Sequence, residues 1–406
     1  MHDDLRRQML DWFRVALAAV DGRTCVARRL RDVRVHAPVS VIALGKAACR
    51  MAQGAHDVLG DALTSAFVVT KHGHAEPLPW RVIEAGHPLP DAHSLAAGAG
   101  LIEFARALPR SGTVLVLLSG GASALVEALP PGVTLEQLRA ANAWLLAAGL
   151  AIDDINSVRK RLSLIKGGRF ATLLAPRNVL CLAVSDVAGD DPRAIGSGPL
   201  TADARVATSL PGQPDFILEM LVRAIPAPRP DAACFANVRY EIVATNADAR
   251  AAVARAARTA GMRVIVNETL IAEDAAKAGR GMASALRLLA PGTALVRGGE
   301  PIVHLPASPG RGGRAQQFAL AAAIEMGGVG DVALLAAGTD GSDGPTEDCG
   351  ALVDGSTVLR GEAQGFDAQA ALDAADAGTF LAGAGDLVNT GPTGTNVMDL
   401  YVGVRS

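Results

Sequence analysis

Four places in this chain put chemically competent side chains directly after short apolar runs. The first is Val41-Ile-Ala-Leu-Gly45-Lys46, where a lysine follows a glycine turn and an Ala-rich stretch begins. A lysine at the carboxyl end of a buried strand stands where open α/β sheets bind ligands, and its ammonium can neutralise charge on a phosphoryl group. Read alone, Lys46 is more simply a solvated first-turn lysine, and the spacing of a Walker A loop is absent. The second place is Ser119-Gly120-Gly121-Ala122-Ser123 after the run Val114–Leu118. A strand, a glycine-rich turn and a helix start in succession gather backbone N–H groups around one point, which suits phosphate or carboxylate, with Ser119 and Ser123 as hydroxyl donors. A tight turn that needs glycine only for its dihedral angles is an equally good account.

The third place is the cationic run Arg159-Lys160-Arg161, continued by Lys166 and Arg169. It could cradle an anion, but Arg159, Lys160 and Lys166 cannot all face one way on a helix, so only a subset can line a site. The fourth is Ser185-Asp186-Val-Ala-Gly189-Asp190-Asp191. Three aspartates within six residues at a strand end suit magnesium coordination, or a general base for an attacking hydroxyl, better than they suit a plain N-cap and turn. The second half adds polar, glycine-rich loops: Gly298-Gly299-Glu300, Gly310-Arg311-Gly312-Gly313-Arg314, Gly338-Thr339-Asp340-Gly341-Ser342-Asp343, and Thr390 to Asn396 with Thr393. Loops of this kind on a rigid scaffold are where sites form.

The elements that must position these loops are short apolar runs: Val39–Leu44, Phe67–Thr70, Val114–Leu118, Val179–Ser185, Tyr240–Ala244, Met262–Val266, Thr293–Arg297 and Val332–Ala336. Ala/Leu-rich helical stretches separate most of them, the alternation of a parallel-sheet α/β fold. Half of the 406 residues are hydrophobic but only 3% are aromatic, which favours Ala-rich helices over buried strands rather than an all-β architecture. The length implies two domains. The proline-rich segment Leu210–Asp231 is the expected connection, with a competing reading in which Phe216–Ala224 is a helix of the first domain capped by Asp215 and followed by a shorter linker. The division expected is 1–225 and 235–406.

A formal charge of −3 gives no drive toward nucleic acid or anionic lipid, and no apolar run is long enough for a membrane span. Five scattered cysteines, none in a C-x-x-C pair, suggest neither a disulfide framework nor a zinc site. The N-terminus lacks a basic start and an apolar core, so a cytoplasmic location is expected. No G-x-G-x-x-G sits in strand–turn–helix context, which disfavours a nicotinamide site.

Taken together, the motifs resemble the glycerate 2-kinase family, whose C-terminal part is the MOFRL domain and which has often been labelled hydroxypyruvate reductase. In order they are Gly45-Lys46, Lys71-His72-Gly73-His74, Gly86-His87-Pro88-Leu89-Pro90-Asp91, Ser119–Ser123, Asn156 with Val158-Arg159-Lys160, Lys166-Gly167-Gly168, Ser185-Asp186 with Gly189-Asp190, and Gly196-Ser197-Gly198-Pro199. Gly298–Glu300, Gly312–Arg314, Thr339–Gly341 with Asp343–Pro345, and Thr390–Thr393 with Thr395–Val397 and Asp399 complete them. The resemblance implies an N-terminal Rossmann-like parallel-sheet domain, a C-terminal MOFRL domain with a mixed sheet, and an active site in the cleft between them. It implies ATP- and Mg²⁺-dependent phosphorylation of the 2-hydroxyl of D-glycerate. Lys46, Asp186, Asp190 and Arg314 fall on catalytic positions, the two aspartates also on metal positions. Gly45, Ser119, Gly120, Gly121, Ser123, Arg159, Lys160, Glu300, Thr339, Asp340, Asp343, Thr393 and Asn396 are the expected substrate- and phosphate-binding set. The partners implied are small molecules, and a homodimer is one compatible assembly. Where the family usually has Gly-Gly-Arg-Asn-Gln-Glu, this chain has Gly312-Gly313-Arg314-Ala315-Gln316-Gln317, which puts the contacts of the lost Asn and Glu in question. The rival functions are an NAD(P)H-dependent hydroxypyruvate reductase and a non-catalytic nucleotide or organic-acid sensor.

Overall fold

The structure is a computed structural model that describes residues 2–148, 152–203, 210 and 212–406. The chain forms two compact units, Gly22–Val243 and, discontinuous in sequence, Met1–Asp21 with Ala244–Ser406.

The Gly22–Val243 unit is built on a six-stranded sheet of β1 (Val39–Leu44), β2 (Leu63–Lys71), β3 (Val82–Ala85), β4 (Thr113–Leu118), β5 (Asn178–Val184) and β6 (Val238–Ala244), in the order β3-β2-β1-β4-β5-β6. The paired strands β1–β5 run parallel. Strands β1 and β4 are buried at every residue, as expected for central parallel strands covered on both faces. The order places a topological switch point between β1 and β4, where chains leave the sheet in opposite directions and open a crevice beyond the strands' carboxyl ends. Register aligns Leu44 with Leu118, and Leu118 with Ala183, so the loops after β1, β4 and β5 emerge side by side.

The second unit has a mixed sheet of β7 (Arg263–Val266), β8 (Thr293–Gly299), β9 (Val332–Gly338), β10 (Gly350–Asp354), β11 (Leu387–Val388) and β12 (Asp399–Arg405), ordered β11-β10-β9-β12-β8-β7. Only β7 and β8 pair in parallel. The helix Arg314–Glu325 is buried on nearly every face from Ala315 to Ala323 and packs against the helix Ala275–Leu288. Gly279 permits that approach, because a Cβ there would lie 2.3 Å from the Phe318 carbonyl oxygen.

The domain division differs from the expected one at both ends. The helix His2–Ala19 belongs with the second unit: Met9, Trp12, Phe13 and Ala16 are buried, and Arg6 donates to Asp354 at 2.8 Å and Asp386 at 2.7 Å. Strand β6, expected in the C-terminal domain, is the sixth strand of the first sheet, and Val238, Tyr240 and Ile242 pack on its core. The prolines after residue 224 are not the connection, because the Ile225 carbonyl accepts from Arg169 Nε at 3.0 Å and Nη2 at 2.6 Å, which fastens that stretch to the first unit. Of the competing reading the helix holds, running from Asp215 to Val222 with Pro214 rather than Asp215 as its N-cap, but no linker follows it, since the chain stays in the first unit to Val243. Among the described residues no helix is long and apolar enough to cross a membrane.

Candidate active site

At the switch point the turns after β1 and β4 are tied together. Lys46 N–H donates to the Gly120 carbonyl at 2.9 Å, Ser119 N–H donates to Leu44 at 2.9 Å, and the Ser119 hydroxyl accepts from Ala47 N–H at 3.0 Å. The contact is possible only with glycine at position 45. Its φ is +125°, and a Cβ there would stand 2.2 Å from Ser119 Oγ and 2.5 Å from the Ser119 carbonyl oxygen. Gly121, at φ +86°, leaves open the space between His87 and the Lys46 side chain. Ser119 is fully buried and its hydroxyl braces the two turns, whereas Ser123 is half-buried and shares a 2.8 Å hydrogen bond with Ser197.

Beside these turns lies a cavity of about 470 Å³, bounded by the loop His87–Pro90, Gly121, Ser123, Asn156, Arg159, Lys166 and Asp186, with the loop around Gly196. The volume is within the range of small-molecule sites. The cation run contributes two of its members. Arg159 Nε donates to Asn142 Oδ1 at 2.9 Å, which aims the guanidinium; burial pushes its pKa down, opposed by the charge of Glu127. Lys166 is only 5% exposed and pairs with Glu127, itself 1% exposed. Lys160 instead pairs with Asp203 and does not line the cavity. Asp186 lies on the wall, while Asp190 follows in a 3₁₀ turn, half-exposed and with a left-handed φ of +50°. Sequence reasoning did not single out Glu127, Asn142 or His87 as site residues. A lone acid in the apolar stretch Ala122–Leu129 was the available signal for Glu127.

In the second unit the polar loops meet at one end of the mixed sheet, because Asp399 opens β12 opposite the last residues of β8 and β9. Arg314 donates to both oxygens of Asp399, at 2.6 and 3.0 Å, and to Glu300, while Tyr401 Oη donates to Asp399 at 3.0 Å. Burial works against the guanidinium charge, but Asp399, with Glu300 behind it, outweighs burial and raises the Arg314 pKa. Asp343 accepts from the N–H groups of Ala315 and Gln316 at 3.1 and 2.8 Å, the open end of the Arg314–Glu325 helix. Burial pushes its carboxyl up to about 7, with the charge of Asp399 adding to the effect. Thr339 and Thr393 hold loops: Thr339 Oγ1 bonds Met398 O and Val397 N, and Thr393 Oγ1 donates to Thr339 O. Asp340 accepts from the Ser342 N–H at 3.0 Å, and Asn396 is buried beside Met398. The two positions that depart from the family pattern turn inward. Ala315 is fully buried and Gln317 donates to the Leu372 carbonyl at 2.7 Å, so both serve packing in this chain.

Known proteins resemble this chain along most of its length. A family model described as a domain of unknown function (DUF4147) matches residues 8–210, and the MOFRL family matches residues 293–399. A D-glycerate 2-kinase of Thermotoga maritima is 39% identical over 379 residues, covering 90% of each chain. The chain belongs to the glycerate 2-kinase family. The crystal structure of a glycerate kinase from Thermotoga maritima superposes on this glycerate 2-kinase family member with a TM-score of 0.86 at 35% identity, covering all of both chains. A relative from Agrobacterium vitis, 36% identical over 403 residues and covering 96% of this chain and 92% of its own, carries the label hydroxypyruvate reductase.

Proposed function

We propose that this chain transfers the γ-phosphoryl group of ATP to the 2-hydroxyl of D-glycerate, giving 2-phosphoglycerate and ADP. The observation that carries the reading is the cavity at the sheet's switch point, which joins two positioned cations, a carboxylate and a glycine-rich turn beside Lys46. Arg159 and Lys166 suit the carboxylate of a small hydroxy acid, since each is held by a neighbour, Asn142 or Glu127. The space beside Gly121 suits a phosphate chain, with Ser123 as a hydroxyl donor. One of Asp186 and Asp190 takes the proton from the 2-hydroxyl as its oxygen attacks phosphorus and the bond to the ADP oxygen breaks. The donor set also fits magnesium, which takes one or two carboxylates together with substrate phosphates, and whichever of Asp186 and Asp190 is not the base would hold it. The ion would offset phosphate charge.

Lys46 is assigned to offset charge on the transferring group, and Arg314 the same role. Choice of the 2-hydroxyl follows the name of the Thermotoga maritima relative. The lack of a dinucleotide fingerprint favours this reading over the reductase label. The test is turnover with ATP, Mg²⁺ and D-glycerate: Lys46→Ala should lower kcat by about 10²–10³, the scale for one preorganised charge-stabilising donor. Near-normal turnover in a variant with a wild-type circular dichroism spectrum refutes that role.

A further inference from the structure

Apart from the cavity described above, one group of metal-ligating side chains comes together among the described residues: His72, Asp91 and His93, whose ligand atoms all lie within 4.8 Å of one another. We propose that these three residues form a surface site for a divalent transition-metal ion of the zinc class, independent of the phosphoryl-transfer reading.

The distances fit such an ion. His72 Nε2 is 2.8 Å and His93 Nδ1 is 3.6 Å from the same oxygen, Asp91 Oδ2. Ligands about 2.1 Å from a tetrahedral zinc ion stand about 3.4 Å apart, so small side-chain rotations suffice. The two imidazoles also stand edge to face, ring centroids 5.4 Å apart, and a nitrogen of each faces Asp91 Oδ2.

The three ligands are also held by backbone structure. His72 follows β2 directly, and its N–H is bonded to the Ala85 carbonyl at 3.1 Å at the end of β3. Asp91 caps the helix Ala92–Ala107, accepting from Ser94 N–H at 2.9 Å through Oδ1 while Oδ2 faces both histidines, and the Gly86 backbone also donates to this carboxylate. His93 stands in the first turn of the same helix. Both imidazoles are exposed, so water can complete the coordination.

Two imidazoles and one carboxylate select zinc, cobalt or nickel over magnesium or calcium, which prefer all-oxygen sites. The positive end of the helix opposes a cation, so binding at micromolar rather than far lower concentration is expected. A bound ion would join the end of β2 to Asp91, which closes the loop His87–Pro90 on the cavity wall.

The experiment is calorimetric titration of the full chain, stripped with chelator, with zinc chloride alone, supported by visible absorption of the cobalt form. One saturable zinc per chain is expected. His72→Ala and His93→Ala should each weaken binding by at least about tenfold, and zinc should raise the melting temperature of the wild type but of neither variant. The ligands are exposed, so metal-free variants should melt as the wild type does. No saturable zinc on the wild type, or equal affinity in the wild type and both variants, overturns the site.

Discussion

Replacing Lys166 by methionine isolates the electrostatics of the cavity floor. The substitution keeps most of the apolar stem and removes the ammonium that faces Glu127. The Glu127 carboxylate is 1% exposed and then keeps only the Ala128 N–H, at 3.0 Å, among its described hydrogen bonds. Removing the paired ammonium leaves the buried Glu127 charge facing only the more distant Arg159 and costs up to about 3–5 kcal/mol, the scale for breaking a buried pair, whereas replacing both with neutral groups of similar size is often near neutral. Lys166→Met should therefore destabilise the Gly22–Val243 unit by up to about 3–5 kcal/mol, and adding Glu127→Gln should recover most of that loss. Hydrogen exchange of peptides spanning β4 and β5, read by mass spectrometry, is the suitable assay because it reports on the Gly22–Val243 unit itself. Protection in those peptides should fall in the single variant and return in the double. A single variant within about 1 kcal/mol of wild type, or a double variant no better than the single, refutes the reasoning.

Three further outcomes follow from the same geometry. Gly45→Ala forces a Cβ against Ser119 at a left-handed φ, so urea unfolding should show a loss of at least about 2 kcal/mol; a loss below about 0.5 kcal/mol contradicts the contact. The buried Asp343 holds its proton to about 7, whereas the unfolded chain releases it near the ordinary 3.8. Between those values the native state binds more protons, so this group's contribution to stability falls as pH rises and levels off above about 7. Asp343→Asn should flatten that slope in urea midpoints measured from about pH 5 to about pH 8, and an unchanged slope counts against it. Arg159→Ala should raise KM for glycerate by at least about tenfold with a smaller change in kcat, as expected for a group that binds substrate and transition state alike. A fall in kcat at constant KM contradicts that assignment.

All eight strands expected from apolar runs are present; most are covered strands whose burial leaves a plain mark on the sequence, while β6 and β7 are partly exposed edge strands that still carry short apolar runs. The four not anticipated are short, flanked by polar loops or interrupted. β3 has four residues after a proline-containing stretch, and β11 has two. β10 lies between polar loops, and β12 contains Gly403, which looks like a break but makes room for Leu286. Prolines suggested a linker where Arg169 in fact fastens the chain to the first unit, a long-range hydrogen bond that no local pattern reveals. The glycine-rich turns were legible as loops, but not which hydroxyls would be consumed by the scaffold: Ser119 and Thr339 bond to the backbone, while Ser123 reaches the cavity wall. Likewise the cation run was legible as a possible anion cradle, and only the fold separates Arg159 and Lys166 on the wall from Lys160, paired with Asp203.

The most direct measurement is identification of the product formed from D-glycerate, ATP and Mg²⁺, by phosphorus NMR and by coupling to enolase, with NADH absorbance followed in a parallel reaction on hydroxypyruvate. The account predicts ATP-dependent 2-phosphoglycerate that enolase consumes directly, and no NADH oxidation. Absence of phosphorylated glycerate together with NADH-dependent reduction of hydroxypyruvate would contradict it.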